Sequence, residues 1–323
     1  MDFVLRDAVE SDLDQCVALT TDRFLYDREH AVALRRMWSD FIRHGSGLAG
    51  VITDAHTPAR VLYFFASAFV TDERAARYRR LTAPKIGYQM AEEYSARGHP
   101  FLTIDEFADA NAGRGLNAVV THHGYVLRDD PSDERLRAAT YELIRKYLIG
   151  WNLRTYTAEV FANNRLRDGQ EMGESLGHCV RSYTDQQLEK AGIPKDRAPL
   201  VWLSTLQDAL KKPAGFYLAL LFLSFSPPIY GFNLKEQRLL ELALNGLTDE
   251  AIGQSTGVPI ATVKMRFRRI YDKVRDVAID SGVSEVSESI GAPTRGIETR
   301  RHLLNYLRDH REELRPYSLK RGG

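Results

Sequence analysis

Between Phe232 and Val274 the chain reads FNLKEQRLLELALNGLTDEAIGQSTGVPIATVKMRFRRIYDKV, and no other stretch leaves so few ways to fold. Leu239, Leu240, Leu242, Ala243 and Leu244 predict a helix over residues 235–245 that stops at Asn245-Gly246, a left-handed C-terminal signal. Thr248 caps a second helix, with Asp249 and Glu250 in the first turn, where free amides and the helix dipole favour negative charge. That helix ends near Thr256-Gly257. Val258-Pro259 opens a third, with Pro259 at the first helical position, where its missing N–H is harmless. The turn between them is short enough for a helix-turn-helix.

In the third helix Val263, Phe267, Ile270 and Val274 fall at i, i+4, i+7 and i+11 and define one buried stripe. The outward face centres on Ala261, Met265, Arg268 and Asp272, flanked by Thr262 and Arg269 on one side and Lys264 on the other. From Thr262 to Arg275 there are six basic residues (Lys264, Arg266, Arg268, Arg269, Lys273 and Arg275) against one acid, Asp272. A helix lying in a DNA major groove needs cations for phosphates and small or polar groups for base edges.

These residues resemble the DNA-binding domain of LuxR-type response regulators. Glu236, Leu240, Gly246, Thr248, Ile252, Val258, Thr262, Val263, Lys264, Ile270 and Lys273 match that family's pattern. Pro259 replaces its usual Ser, Phe267 turns inward, and Arg266 stands where His is common. The resemblance, over about 45 of 323 residues, implies that Lys264, Met265 and Arg268 face double-stranded DNA. Thr248, Thr262, Arg266 and Arg269 complete the expected DNA-binding set. It implies a sequence-specific transcription regulator, and the weak grip of a single helix-turn-helix adds a homodimer. The string from Gly257 to Arg266 also resembles region 4 of extracytoplasmic sigma factors, but no helical core-polymerase-binding segment is read upstream.

Charge supports this division of labour. Residues 1–229 hold 28 Lys/Arg and 30 Asp/Glu, whereas 230–323 hold 16 and 13, so the basic excess belongs to the tail. Cys16 and Cys179 stand far apart, which predicts a reducing compartment rather than a disulfide framework. No signal peptide is read at the start, and the longest apolar run, 216–225, is short of the roughly 20 residues a membrane span requires. A bacterial cytoplasm is therefore the expected setting.

Taken in order, residues 3–9 read as a strand and 10–24 as a capped helix. A second helix over 30–44 places Ala31, Leu34, Met37, Trp38 and Phe41 on one face. Residues 48–52 and 61–70 read as a hairpin, and 72–97 as helical. Strand 116–125, helix 133–149 and strand 154–161 form a βαβ signature of parallel pairing, followed by a helical piece at 163–176 and a short strand at 177–183. Pro227-Pro228 reads as a linker. The expected fold is thus an α/β domain over 1–226, followed by an all-α helix-turn-helix domain with a C-terminal helix over 227–323.

With its opening LRDAVESDLDQCVAL, the first domain resembles a GNAT acyltransferase, a mixed sheet with flanking helices. The resemblance implies acetyl-CoA, its pyrophosphate held on backbone amides between a central strand and the next helix. At that place, however, the chain runs from Val126 to Glu134 with no glycine and four acids, Asp129, Asp130, Asp133 and Glu134. Gly113-Arg114-Gly115 precedes a strand and reads as a turn. Acetyl-CoA is therefore expected not to bind and no cofactor is expected. The domain reads as one that senses an unidentified small-molecule effector or mediates assembly, rather than as an enzyme. The alternative is a GNAT-type acyltransferase with an appended DNA-binding tail.

No catalytic residue or metal site is assigned. His122 and His123 are adjacent in a strand and point to opposite faces, as do His178 and Cys179. One core and one exposed histidine is the expectation for the first pair. Trp38, Trp151 and Trp202 read as core. The last helix, 298–314, carries Leu303, Leu304, Leu307 and Leu314 along one side, for dimerisation or for packing back on the helix-turn-helix.

Overall fold

The computed structural model describes residues 2–98, 100–125, 132–161, 166–213, 215–281 and 296–318. The chain divides into two compact units, Met1–Ser224 and Phe225–Gly323.

Among its described residues the first unit has seven strands: β1 (Phe3–Asp7), β2 (Leu48–Asp54), β3 (Val61–Val70), β4 (Leu116–Tyr125), β5 (Leu153–Phe161), β6 (Cys179–Ser182) and β7 (Pro199–Thr205). They form one sheet in the order β1-β2-β3-β4-β5-β7-β6. Only β4 and β5 run parallel; the other neighbours are antiparallel. The crossover between them is α6 (Ser132–Leu148), as a parallel pair requires. The expected mixed sheet with flanking helices is what the chain builds.

Both faces of the sheet are covered, and β3 is buried along its whole length. On one face lie α1 (Leu13–Phe24), α2 (Arg28–His44), α3 (Asp72–Arg79) and α4 (Ile86–Arg97). In α2, Leu34, Met37, Trp38 and Phe41 are buried at i, i+3, i+4 and i+7. Asp27 caps it by accepting from the amides of Glu29 and His30, and Gly45 ends it in the left-handed region. The opposite face carries α5 (Ile104–Ala112), α6, α9 (Leu206–Ala209) and α10 (Tyr217–Leu223). The remaining helices are α7 (Leu166–Ser175) and α8 (Asp185–Lys190).

One expectation changes, and two helices are added to the reading. The single helical region read over 72–97 is two helices, broken at residues 80–85, where Leu81 and Lys85 adopt positive φ. Helix α5 was not expected; its capping box of Thr103 and Glu106 precedes only a short apolar pattern, Phe107 and Ala110. The apolar stretch around 215–225 is a helix, α10.

The second unit contains α11 (Leu234–Leu244), α12 (Asp249–Thr256), α13 (Ile260–Ser281) and α14 (Gly296–Asp309). Asn233 and Glu236 close a capping box at the start of α11. Thr248 caps α12, its hydroxyl accepting from the Ala251 amide at 3.3 Å, and Gly257 ends it at φ +69°. Pro259 precedes α13 rather than opening it: its carbonyl accepts from the amides of Thr262 and Val263. Val263, Phe267, Ile270 and Val274 form the predicted stripe, buried together with Leu240, Ile252, Leu303 and Leu307. The choice left open for the last helix is thereby decided for packing back, since Leu303 and Leu307 are fully buried within their own unit.

Candidate functional site

Strands β4 and β5 pair only from Leu116↔Leu153 to Val120↔Ala158. Beyond that point, among the described residues, β4 pairs with β3, from Ala66↔His122 to Tyr63↔Tyr125, and β5 with β7, from Glu159↔Val201 to Phe161↔Pro199. The facing edges of residues 121–125 and 159–161 therefore open into a wedge at the C-terminal ends of the parallel pair. Ligands of open α/β sheets bind at this end of the strands.

Chemistry reaches the wedge through a bulge. Between Ala66 and Ser67 the β3–β4 register shifts, so Thr121 is an extra residue and His122 turns to the face opposite Val120. There it meets Trp38 edge-on, at 5.0 Å between ring centroids, and its Nε2 lies 2.9 Å from the Tyr26 hydroxyl. Burial, with a smaller contribution from His123, pulls His122 down to about 3, so it is neutral at pH 7. His123 is half-buried rather than exposed.

On the same face of β5, Glu159 is 1% exposed. Its Oε1 accepts from the Lys85 amide (2.9 Å) and the Tyr183 hydroxyl (2.8 Å), and its Oε2 from the Ile86 amide (2.8 Å). Burial pushes its carboxyl up to about 7, against the pull of these three donors and of the Lys85 ammonium. The first turn of α4 is thus tied to β5. It also rests on β4 through Gly87: a Cβ there would lie 2.3 Å from the His122 ring and 2.4 Å from the Thr121 carbonyl, so only glycine permits the approach. Two residues before Glu159, the buried Thr157 hydroxyl has no partner among the described residues. The sequence reading missed Glu159, Tyr183, Tyr26 and Gly87. One signal was available: a single carboxylate inside the otherwise apolar run Ala158-Glu159-Val160-Phe161.

His178 is buried between Tyr156 and Trp202, with centroids at 5.1 and 5.3 Å, and its Nδ1 lies 2.8 Å from the Ser204 hydroxyl. Burial, more than the Lys212 charge, brings it down to about 4, so it is a neutral core residue. Among the described residues no group of three His, Cys, Asp or Glu could hold a metal. Nor, among the described residues, is any helix long and apolar enough to cross a membrane.

The residues expected at DNA lie on α13 and its approach. Lys264, Met265, Arg268 and Arg269 are exposed, while Thr262 and Arg266 are half-buried. Thr248 is occupied as a cap. Among the described residues Lys264, Arg266, Arg268 and Arg269 form no ion pair, although Lys264 helps to lower the Glu250 carboxyl, after hydrogen bonds from its own backbone and from Thr248. Three other cations of this unit are engaged: Lys273 bonds Glu236 and the Gly231 carbonyl, Arg275 bonds Asp272, and Arg300 bonds Asp249.

No family model matches the chain, and no curated protein matches it. Among solved structures it is similar to NAA60 of Arabidopsis thaliana in complex with a bisubstrate analogue, at 15% identity over 63% of this chain and 98% of that one, TM-score 0.38. It is also similar to a variant of the spermidine N-acetyltransferase SpeG from Vibrio cholerae, at 10% over 63% and 93%, TM-score 0.37. A third is a histone acetyltransferase HPA2 and related acetyltransferase from Corynebacterium glutamicum, at 11% over 63% and 95%, TM-score 0.33. At such scores these likenesses identify no activity for this chain. The expectation against an enzyme is withdrawn: acetyltransferases stand among the structures to which the chain is similar. Of the acidic stretch on which that expectation stood, residues 126–134, residues 126–131 lie outside the described residues, and Asp133 and Glu134 fall in the first turn of α6. The assignment as a LuxR-type transcription regulator is corrected with it, since nothing in these comparisons supports it.

Proposed function

We propose that the first unit is an acyltransferase that takes a coenzyme A thioester into the wedge between β4 and β5. The observation that carries this reading is the end of the parallel pairing at Val120↔Ala158. Unpaired backbone at a strand edge offers an extended chain the hydrogen bonds another strand would make. The amide-bearing pantetheine arm of coenzyme A is such a chain, and its thioester would then lie near the ends of the strands, where Glu159, Tyr183, Tyr26 and His122 gather.

Glu159 has the near-neutral titration that proton transfer requires. Both its oxygens are engaged by Lys85, Ile86 and Tyr183. In this conformation it is a positioning residue, and no catalytic residue is assigned. Titration of the whole chain with acetyl-CoA tests the reading.

For the second unit the proposal is contact with duplex DNA through Thr248, Thr262, Lys264, Met265, Arg266, Arg268 and Arg269. It is favoured by the four α13 cations that form no ion pair among the described residues. Arg268→Ala is expected to cost about 1–3 kcal/mol on a preferred site, as loss of a bidentate base contact does. Lys264→Ala should weaken all duplexes alike and lower the salt slope of binding by about one. Fluorescence anisotropy across a salt series reads both, and wild-type behaviour in both variants would exclude this face.

A further inference from the structure

The first turn of α4 lies across the wedge and is fastened to both of its sides. The amides of Lys85 and Ile86 donate to Glu159, the first residue of β5 past the parallel pairing, at 2.9 and 2.8 Å. Gly87 packs against the Thr121 carbonyl and the His122 ring of β4. Lys85 therefore stands at the edge of the wedge, and it is only half-buried.

Its ammonium is held close by. Nζ donates to the Leu25 carbonyl at 3.1 Å and lies 5.7 Å from the centre of the Tyr26 ring, whose hydroxyl bonds His122. Both residues of the Lys85–Leu25 contact have an uncommon backbone. Among the described residues only three that are not glycine have positive φ, and Leu25 (54°) and Lys85 (65°) are two of them. Leucine and lysine rarely adopt that region, and residues held there cluster at active sites and ligand clamps. Among the described residues the one hydrogen bond of this amine goes to a neutral carbonyl. Burial lowers its pKa from the usual lysine value, while the charges of Asp27 and Glu159 act in the opposite sense. Compared with a surface lysine, more of it is thus the neutral, nucleophilic amine.

We propose that Lys85 is an internal acceptor, acylated at Nζ by the thioester in the wedge; this rests on the reading of the wedge as a coenzyme A site. Once the ammonium has given one proton to solvent, the Nζ lone pair adds to the thioester carbonyl carbon. The C–S bond breaks with its electron pair on sulfur. The proton that the nitrogen then sheds passes to that thiolate, and the products are an Nζ-acyl-lysine and free coenzyme A.

The experiment incubates the whole chain with acetyl-CoA at neutral to mildly alkaline pH and follows each lysine by peptide mass spectrometry. Thioesters also label surface lysines slowly, and Lys190, Lys195 and Lys211, all exposed, measure that background. Held beside the bound thioester, Lys85 should be acetylated at least roughly tenfold faster than these three, at a rate per chain that does not change with protein concentration. Gly87→Val, which displaces the turn, should bring Lys85 down toward the background while the other three keep their rates. Titration of Lys85→Arg with acetyl-CoA, in which this turnover cannot occur, separates the acceptor from the site. Binding by that variant, with Lys85 of the wild type labelled no faster than the surface lysines, would overturn the acceptor role and leave the wedge as a coenzyme A site. No binding together with background labelling would overturn both. A rate per chain that rises in proportion to protein concentration would also overturn the acceptor role, because the acyl group would then pass between chains.

Discussion

Replacing Glu159 with alanine is expected to destabilise the first unit by about 2–4 kcal/mol at pH 6. Two amides and a tyrosine hydroxyl lose their acceptor in a buried site, and each orphaned donor costs roughly 1–3 kcal/mol. The total is less than three such penalties because the variant no longer buries the carboxyl. The effect depends on pH. The folded-state carboxyl is raised from 4.5 to about 7, so the stability linked to its proton is fully present below the lower value and is lost as pH rises through the upper one. The gap between wild type and Glu159→Ala should accordingly be wider at pH 5 than at pH 8. Urea unfolding followed by tryptophan fluorescence measures it cleanly, since Trp38, Trp151 and Trp202 are the only tryptophans and all lie in the first unit. A loss below about 1 kcal/mol would mean that Glu159 does not anchor α4.

That residue also shows where reading the sequence ends. The stripe Leu34, Met37, Trp38 and Phe41 and the stripe Val263, Phe267, Ile270 and Val274 are visible because one helix repeats its burial every turn, and the structure buries both. Thr248 as a cap and Gly257 as a stop are equally local signals. The βαβ unit follows from the order of elements. The Glu159 cluster has no such period: Tyr26, Lys85, Glu159 and Tyr183 come from four parts of the chain that only the sheet order brings together. The bulge at Thr121, which turns His122 toward Tyr26, depends on the β3–β4 register, which strand alternation cannot reveal. The break between α3 and α4 was missed for a related reason. Its left-handed residues are leucine and lysine, not the glycine or asparagine that announces such a turn.

Replacing Phe267 with alanine should cost the second unit about 3–5 kcal/mol. The ring is 3% exposed and packs in the core with Val263, Ile270 and Leu240, with Tyr271 stacked at 6.0 Å. The Arg300 guanidinium lies 4.4 Å from its centroid while also bonding Asp249, so Phe267 links α13, α14 and the start of α12. Against a domain stability of about 5–15 kcal/mol, the loss is a large fraction of the whole. Because this unit has no tryptophan, the transition appears in far-ultraviolet circular dichroism as a helical step at lower urea, while tryptophan fluorescence keeps its wild-type midpoint. A common shift in both signals would show that the two units do not unfold separately.

The central claim is that the wedge past Val120↔Ala158 receives a coenzyme A thioester, and isothermal titration of the whole chain with acetyl-CoA addresses it most directly. The prediction is one site with a dissociation constant below about 100 µM, near −5.5 kcal/mol. Affinity should fall at least tenfold when Gly87 is replaced by valine, whose side chain would displace the first turn of α4 from Thr121 and His122. An absence of binding at millimolar acetyl-CoA, by a protein whose tryptophan fluorescence shows it folded, would contradict the account.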